Sequence, residues 1–388
     1  MSVTVLEGFA GAGGLSEGIR MLGLGPALGY EMNGAACATA RAAGHPRVHA
    51  DVRTLDPGDF PAAKGWVSGP PCPTFADSGK RTGRADYATV LDAVEPLADS
   101  TDPRRTLDDI AAAVTDARTA LVLETLDVAL SLPDLRWLVA EQVPAVDGIW
   151  REMAAELAAM HRWDTCTVLR LRADDFGAAT RRTRVFLIAT RGHAPDLSGL
   201  PYRARWDCDR FGPAPADLPP NPVTPFPVTT MAAALGWPTG VRVNTRGNRS
   251  TPGGNEFSAD QPAVSLTGNG ARSWYRTDLG SVAGRLTDRQ AGLLQSFPVD
   301  YPWQGSRTSR FQRIADSVPP VMAAAVIGAA TARPWQDAVW HHLTGTYGTP
   351  RPDVAQMRVC VDHVPATQLD LFALPTPHEG EQQGPRAA

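Results

Sequence analysis

The chain opens with a pattern that few folds can host: a short apolar run, "SVTVLEG", a glycine-rich turn, "FAGAGG", and an amphipathic run, "LSEGIRMLGL". The pattern returns at once in "GPALGYEMNGAACATARAAG", whose apolar stretch ends near Glu31. "RVHADVRTL" and "GWVSGPPCP" read as two more short strands running into loops. "DARTALVLETLDVALSLP" reads as a helix, "LRWLVAEQVPAV" as a strand and "DGIWREMAAELAAM" as a helix, before the paired strands "WDTCTVLRLRADDFG" and "RRTRVFLIATRG". Strand alternating with helix over about 190 residues predicts an open, largely parallel α/β sheet. In such sheets a ligand sits beyond the carboxyl ends of the strands. The glycine turn, Glu31, Asp51, Cys72 and Glu141 all fall at such ends, so one site is expected.

Length and composition narrow the classes. The 388 residues suffice for two domains, or one large domain with a smaller insert, and 43% hydrophobic content with 20% charge is ordinary for a globular chain. No run of eighteen apolar residues and no signal peptide is read, so neither a membrane span nor export is expected. Cys37, Cys72, Cys166, Cys208 and Cys360 are odd in number and never paired as C-x-x-C, which argues against a disulfide framework or a zinc site. A reducing compartment follows, with cytoplasm the default and no metal expected.

The net charge of −4 is unevenly spread: residues 1–165 are net −9, residues 166–313 net +8, and the last 75 net −3. The positive charge is nearly all Arg. Codon bias explains Arg over Lys but not the segregation of sign, and an arginine-rich middle third is what a phosphate-contacting face looks like. From about residue 191 the texture changes to proline, then to Gly, Asn, Ser and Arg, predicting short β pieces and loops. Helix is read again at "LTDRQAGLLQSFP" and across "PPVMAAAVIGAATARPWQDAVWHHL", and a polar tail begins near 346.

The strand ends suggest a chemistry. "FAGAGG" lets backbone approach a ligand at a helix N-terminus, Glu31 stands where a ribose-binding acid belongs, and Asp51 is placed to accept from an adenine amine. An isolated cysteine at a strand end is most simply a space-filler. Cys72, however, is framed by prolines, followed by a Gly-bearing loop, and accompanied by the strand-end acid Glu141. Thiolate beside carboxylic acid suits attack on a ring carbon with a proton placed on a ring nitrogen.

Residues 3–332 resemble the DNA (cytosine-5) methyltransferases, on a series of motifs in order. "FAGAGGLSEG" is similar to that family's S-adenosylmethionine loop and "GPPCPTFADSGK" to its nucleophile motif, usually Pro-Cys-Gln. "AEQV" stands where Glu-Asn-Val is usual, and "TRRTRVFLIA" where Gln-x-Arg-x-Arg is usual. "RLTDRQAGLLQSFP" and "RFQRIADSVPPVMAAAVIGAA" resemble the motif that organises the recognition domain and the closing motif. The resemblance implies a Rossmann-like S-adenosylmethionine methyltransferase sheet with a smaller, mostly β and loop target-recognition domain. It implies a catalytic domain over 1–190, a recognition domain over 191–284, a supporting hinge over 285–313, a returning helical segment over 314–345 and a tail over 346–388.

Carried over residue by residue, the resemblance makes Cys72 the nucleophile toward C6 of a flipped cytosine. Glu141 becomes the acid at N3 and the amine, with Arg182 and Arg184 holding the base and its backbone. Phe9, Ala10, Gly11, Gly13, Gly14, Glu31, Met32, Asp51, Val52, Pro71, Leu121, Asp316 and Ser317 are assigned to the cofactor pocket, with "RRTLDDI" competing with Leu121 for its alignment. Ser78, Lys80 and Arg81 follow the nucleophile and are assigned to DNA. So are Arg246, Asn248, Arg249, Ser265 (in a "SLTGNG" similar to the Thr-Leu signature) and Arg272, although for any one of the arginines phosphate positioning competes with base reading.

Thr180 and Gln142 replace a usual Gln and Asn. Asp316 replaces a usual Asn: either it points elsewhere or, facing the cofactor's own carboxylate, it lowers cofactor affinity, and a modest loss is expected. In the tail, Gln368, Leu369, Asp370, Leu371 and Phe372 resemble the peptide by which bacterial proteins bind the sliding clamp. Expected partners are double-stranded DNA, the clamp and a cognate restriction endonuclease, in a bacterial or phage-derived, nucleoid-associated protein. A tRNA cytosine methyltransferase and a silent protein that keeps the fold to bind DNA are the alternatives.

Overall fold

The computed structural model describes residues 3–71, 75, 85–201, 226–245, 256–268 and 270–350. Seven strands form the main sheet: β1 (Val5–Gly8), β2 (Leu28–Glu31), β3 (Arg47–His49), β4 (Gly65–Ser68), β5 (Trp137–Gln142), β6 (Thr165–Arg172) and β7 (Thr183–Thr190). Their order is β3-β2-β1-β4-β5-β7-β6, with β7 antiparallel to both of its neighbours and the rest parallel. After β3 the chain crosses back over β1 to lay down β4, so the order reverses between β1 and β4. That reversal opens a crevice at their carboxyl ends, the usual ligand position in this architecture. Gly8 and Ser68 are register partners at the crevice floor.

Both faces of the sheet are covered, as parallel sheets require. On one face lie α1 (Gly14–Met21) and two helices from late in the chain, α13 (Pro320–Ala330) and α14 (Gln336–Tyr347). A Cβ on Gly18 would fall 2.6 Å from the backbone nitrogen of Ala324, so α1 and α13 pack backbone to backbone. The opposite face is lined by α4 (Val94–Ala98), α6 (Glu124–Ser131) and α7 (Asp147–Ala159), whose Val94, Leu97, Leu126, Ile149, Trp150 and Met153 are buried against the strands. α2 (Gly34–Ala42) connects β2 to β3.

Three features depart from the sequence reading. Residues 85–113, to which it assigns no element, form the helices α3 (Tyr87–Asp92), α4 (Val94–Ala98) and α5 (Pro103–Ala113), inserted between β4 and the turn 117–123 that leads into α6 (Glu124–Ser131). The start of α5 was readable: Asp102 caps it by accepting from Arg105 N at 3.2 Å, with Pro103 in the first turn. The long helix expected from Pro319 is broken between α13 and α14, where Pro334 lacks a donor and Ala332 turns to φ 50°. Arg307–Asp316, read only as part of a motif, is a helix, α12. The span Arg307–Ala330 has the length and mean hydropathy (1.2) of a membrane helix, yet 89% of its apolar window is buried inside the fold.

A second core gathers Ala179 with residues of 231–315. It holds the antiparallel sheet β10-β8-β9, from β8 (Arg242–Asn244), β9 (Glu256–Ser258) and β10 (Tyr275–Arg276), with α8 (Met231–Leu235), α9 (Gly270–Ser273) and α10 (Gly280–Ala283). α11 (Asp288–Leu294), opened by a Thr287–Gln290 capping box, and α12 close the same core through Ala291, Leu294, Phe311 and Ile314. The segment 285–313 therefore shares its interior with 226–284.

Candidate active site

The glycine turn leaves β1 with three residues in the left-handed region: Phe9 and Gly11 at φ 53° and Gly13 at 108°. For Phe9 that conformation is strained, an outlier of the kind that collects at functional sites. Gly13 and Gly14 are required by space as well. A Cβ on Gly13 would lie 2.7 Å from the Tyr301 hydroxyl, and one on Gly14 only 2.2 Å from the carbonyl oxygen of Val318. Tyr301 Oη donates to the Ala12 carbonyl at 2.5 Å, and burial pushes that phenol's pKa far up, so it stays a donor.

Beneath the turn, Glu7 is fully buried, with Ser16 Oγ donating to it and an Arg47 guanidinium nitrogen 3.5 Å away. Burial raises the Glu7 pKa and Arg47 opposes the rise. Arg47 also donates to Ser16 Oγ at 2.8 Å and to the Ala10 carbonyl at 3.2 Å, so the turn rests on a buried polar network.

Around the turn lie the other pocket candidates. Glu31 accepts from Gly11 N at 2.8 Å and Asn33 N at 2.6 Å, which leaves further lone pairs on each oxygen. Met32 beside it is 65% exposed, an apolar side chain offered to solvent at a strand end. Asp51 accepts from the Arg53 side chain at distances of 2.5–3.1 Å and from its backbone at 3.0 Å; Arg53 lowers its pKa. Nothing local in the sequence marks Arg53 as the partner of this acid. Val52 is buried, and Leu121 sits half-buried in the turn 117–123.

The second half of the site is built on β5 and β7. Glu141 is buried at the end of β5, its Oε1 2.7 Å from Arg184 Nε, close in distance but not aligned as a hydrogen bond. A Cβ on Gly69 would lie 3.5 Å from Glu141 Oε2, which places the acid against the backbone leading to Pro71. Gln142, buried, donates to the Pro70 carbonyl at 3.0 Å and accepts from Val143 N at 2.6 Å, fixing the approach to position 72. Arg182, also buried, donates to the carbonyls of Ala315 at 2.6 Å and Asp316 at 3.3 Å, fastening β7 to the end of α12.

The Asp316 carboxylate is engaged by side chains of its own helix. It accepts from Gln312 Nε2 at 2.7 Å, has Arg313 3.8 Å away, and feels Arg182 and Arg184. Desolvation by the surrounding protein raises its pKa, opposed by these neighbours. Ser317 Oγ is spent on the Arg313 carbonyl at 2.7 Å. Thr180 is buried and bridges to Ala263, two residues before exposed Ser265, so the strand-edge motif touches the second core.

Cys72, Ser78, Lys80, Arg81, Arg246, Asn248, Arg249 and the tail segment 368–372 lie outside the described residues, as does the Arg272 side chain on α9. Among the described residues no group of three His, Cys, Asp or Glu side chains is arranged to hold a metal. The left-handed glycine turn, the Glu31 oxygens and exposed Met32 fit a nucleoside-bearing cofactor: close backbone, acceptors for ribose hydroxyls and an apolar platform for a base.

The family model of C-5 cytosine-specific DNA methylase matches residues 3–103, which span the glycine turn, Glu31, Asp51 and Cys72. Over those residues the chain is similar to the C-5 cytosine-specific DNA methylases. It is a DNA (cytosine-5) methyltransferase with S-adenosylmethionine as methyl donor. Among curated proteins this methylase is 23% identical over 345 residues to Type II methyltransferase M.NgoMIV of Neisseria gonorrhoeae, covering 84% of this chain and 96% of that protein. It is 23% identical over 398 residues to M.DdeI of Desulfomicrobium norvegicum, covering 84% and 87%. In fold it is similar to the S. pombe Dnmt2 methyltransferase, with a TM-score of 0.52 at 14% identity over 85% of this chain and 98% of that one. A likeness of the same degree, TM-score 0.52 at 13% identity over 86% and 98%, links it to the Entamoeba histolytica methyltransferase EhMeth.

Proposed function

We propose that this methyltransferase acts on a cytosine turned out of a short specific duplex sequence, through a transient covalent bond from Cys72. The reading is supported best by one arrangement: buried Glu141, paired with Arg184, beside the Gly69–Pro71 backbone that Gln142 secures. Cys72, as thiolate, adds its sulfur to C6 of the ring. The electrons displaced from the C5–C6 bond move through the ring to N3, where the Glu141 carboxyl supplies a proton and accepts from the exocyclic amine, with Arg184 fixing the carboxyl group and Arg182 its strand. C5 becomes nucleophilic. S-adenosylmethionine supplies an electrophilic methyl group to that carbon. A base removes the C5 proton, and the C6–sulfur bond breaks to regenerate Cys72. Access to C5 and C6 within stacked DNA requires the base to leave the duplex.

The arginine-rich region 191–284 supplies the target recognition in this reading, with Ser265, Arg272 and the undescribed Arg246, Asn248 and Arg249 as contacts. Duplexes carrying a mechanism-based fluorinated cytosine test the chemistry: a trapped adduct mapping to Cys72 is expected, and methyl transfer without any adduct refutes it. Bisulfite sequencing of a host expressing the chain gives the target site, and a parallel tRNA assay excludes or establishes the RNA alternative. A site that coincides with that of a neighbouring endonuclease would pair the enzyme with restriction, the setting of its type II relatives.

The segment Gln368–Phe372 adds a second proposal on sequence similarity alone: Leu371 and Phe372 anchor in an apolar groove of the sliding clamp, placing the enzyme on newly copied DNA in the cytoplasm, at the nucleoid. A Leu371→Ala/Phe372→Ala double variant that still captures clamp would refute it.

A further inference from the structure

The inserted helices α3–α5 carry a contact that the chemistry above does not use. Arg104, in the first turn of α5, extends its guanidinium across to the first turn of α6. There Nη1 donates to both oxygens of Glu124 at 3.1 and 2.8 Å, and Nη2 donates to Asp127. Both carboxylates are largely buried while Arg104 is 37% exposed, so the cation reaches inward from the surface to close two interior acids. Desolvation pushes Glu124 up to about 7 against the pull of Arg104, and Asp127 up as well. Two buried acids three residues apart are a costly arrangement.

Their position accounts for the arrangement. Glu124 directly follows the turn 117–123 that bears Leu121, and Thr125 Oγ1 lies 2.9 Å from Ser68 Oγ at the end of β4. Across the crevice, the field of Arg104 reaches Asp51, and those of Glu124 and Asp108 reach Arg53. The Asp51–Arg53 pair and the Arg104 clasp are thus neighbours, with the turn of Leu121 between α5 and α6 beside them.

We propose that Arg104 is a positioning residue of the methyl-donor pocket: by clasping Glu124 and Asp127 it fixes the Leu121 turn against the Asp51–Arg53 end. The proposal rests on the cofactor assignment above and extends it to the inserted segment.

Arg104→Lys keeps a charge but loses the fork that spans two carboxylates. A second variant, Arg104→Gln/Glu124→Gln/Asp127→Asn, removes the charges together and guards against misfolding from unpaired buried acids. By calorimetry on the full chain, both are expected to weaken S-adenosylmethionine binding about tenfold, roughly one decade in Kd. The same shift is expected in the cofactor KM, while kcat at saturating cofactor stays within about twofold. Unchanged cofactor affinity in both folded variants overturns the proposal, and so does a fall in kcat with affinity intact. Wild-type protein that binds no S-adenosylmethionine overturns the cofactor assignment and this proposal together, so the two failures are distinguishable.

Discussion

The two walls of the crevice are built on different principles. The β1 wall is set by backbone and space. Phe9, Gly11 and Gly13 sit at positive φ, and Gly14 leaves 2.2 Å between a would-be Cβ and the Val318 carbonyl, so few other residues can stand there. The opposite wall, from α5 through the Leu121 turn to α6, is set by charge: an arginine on one helix closes two acids on another. The comparison teaches where each wall is vulnerable. One fails when a methyl group is added, the other when a proton or an ion partner is changed.

The catalytic acid gives the largest expected effect. Glu141→Gln retains the size of a side chain buried against Arg184 but removes the charge and the proton it shares with the base. Turnover is expected to fall on the order of 10²–10⁴-fold, with cofactor affinity and the melting temperature little changed. A variant within tenfold of wild type in single-turnover assay would remove Glu141 from the chemistry.

Next comes the steric wall. Gly14→Ala places its methyl group into the Val318 backbone, which no side-chain rotation relieves, so α1 and the segment entering α13 must separate. A loss of about 2–3 kcal/mol in chemical denaturation is expected from overpacking of this kind. An unaltered midpoint would mean that the two elements are less tightly joined than their geometry requires.

These two walls differ as much in legibility as in build. The β1 turn, Glu31 and Glu141 could be read because glycine requirements and strand ends leave local marks in sequence. The sheet followed from the same alternation. The insert escaped, although Asp102-Pro103 announces a helix, because nothing around it repeats the strand–helix rhythm. Arg104 with Glu124, and Arg47 with Glu7, are pairs 20 and 40 residues apart whose partnership exists only after folding. The chain offers 37 cations and 41 acids, so composition cannot select these pairings. Asp316 shows the converse: a motif position located it, but its orientation depends on Gln312 one helical turn earlier.

The charged wall is sharpened by pH. Glu124 titrates near 7 in the fold and close to 4.5 when unfolded, so the folded state holds its proton more tightly. Its contribution to stability is complete below the lower value and is lost as pH rises through the higher one. Between about pH 4.5 and 7 the wild type is expected to give up as much as ~3 kcal/mol through this group. Glu124→Gln should flatten that part of the profile, measured by denaturation at a series of pH values. An identical slope in the variant would place the titration elsewhere.

The smallest effect is expected at Asp316, where sequence similarity alone points to a modest loss of cofactor affinity. A carboxylate aimed at the cofactor's carboxylate would repel it, and Asp316→Asn would then bind S-adenosylmethionine more tightly. Here the carboxylate is turned onto Gln312 and toward Arg313, with Arg182 and Arg184 also in its field, so four neighbours oppose that repulsion. Asparagine can accept from Gln312 in the same way, and the side chain is exposed enough for water to screen its charge. Cofactor affinity is therefore expected to change by less than about twofold, within what a modest exposed charge contributes. Calorimetry that finds markedly tighter binding by Asp316→Asn would show that the carboxylate swings back toward the glycine turn when the pocket fills, and would bring the end of α12 into the wall that is set by charge.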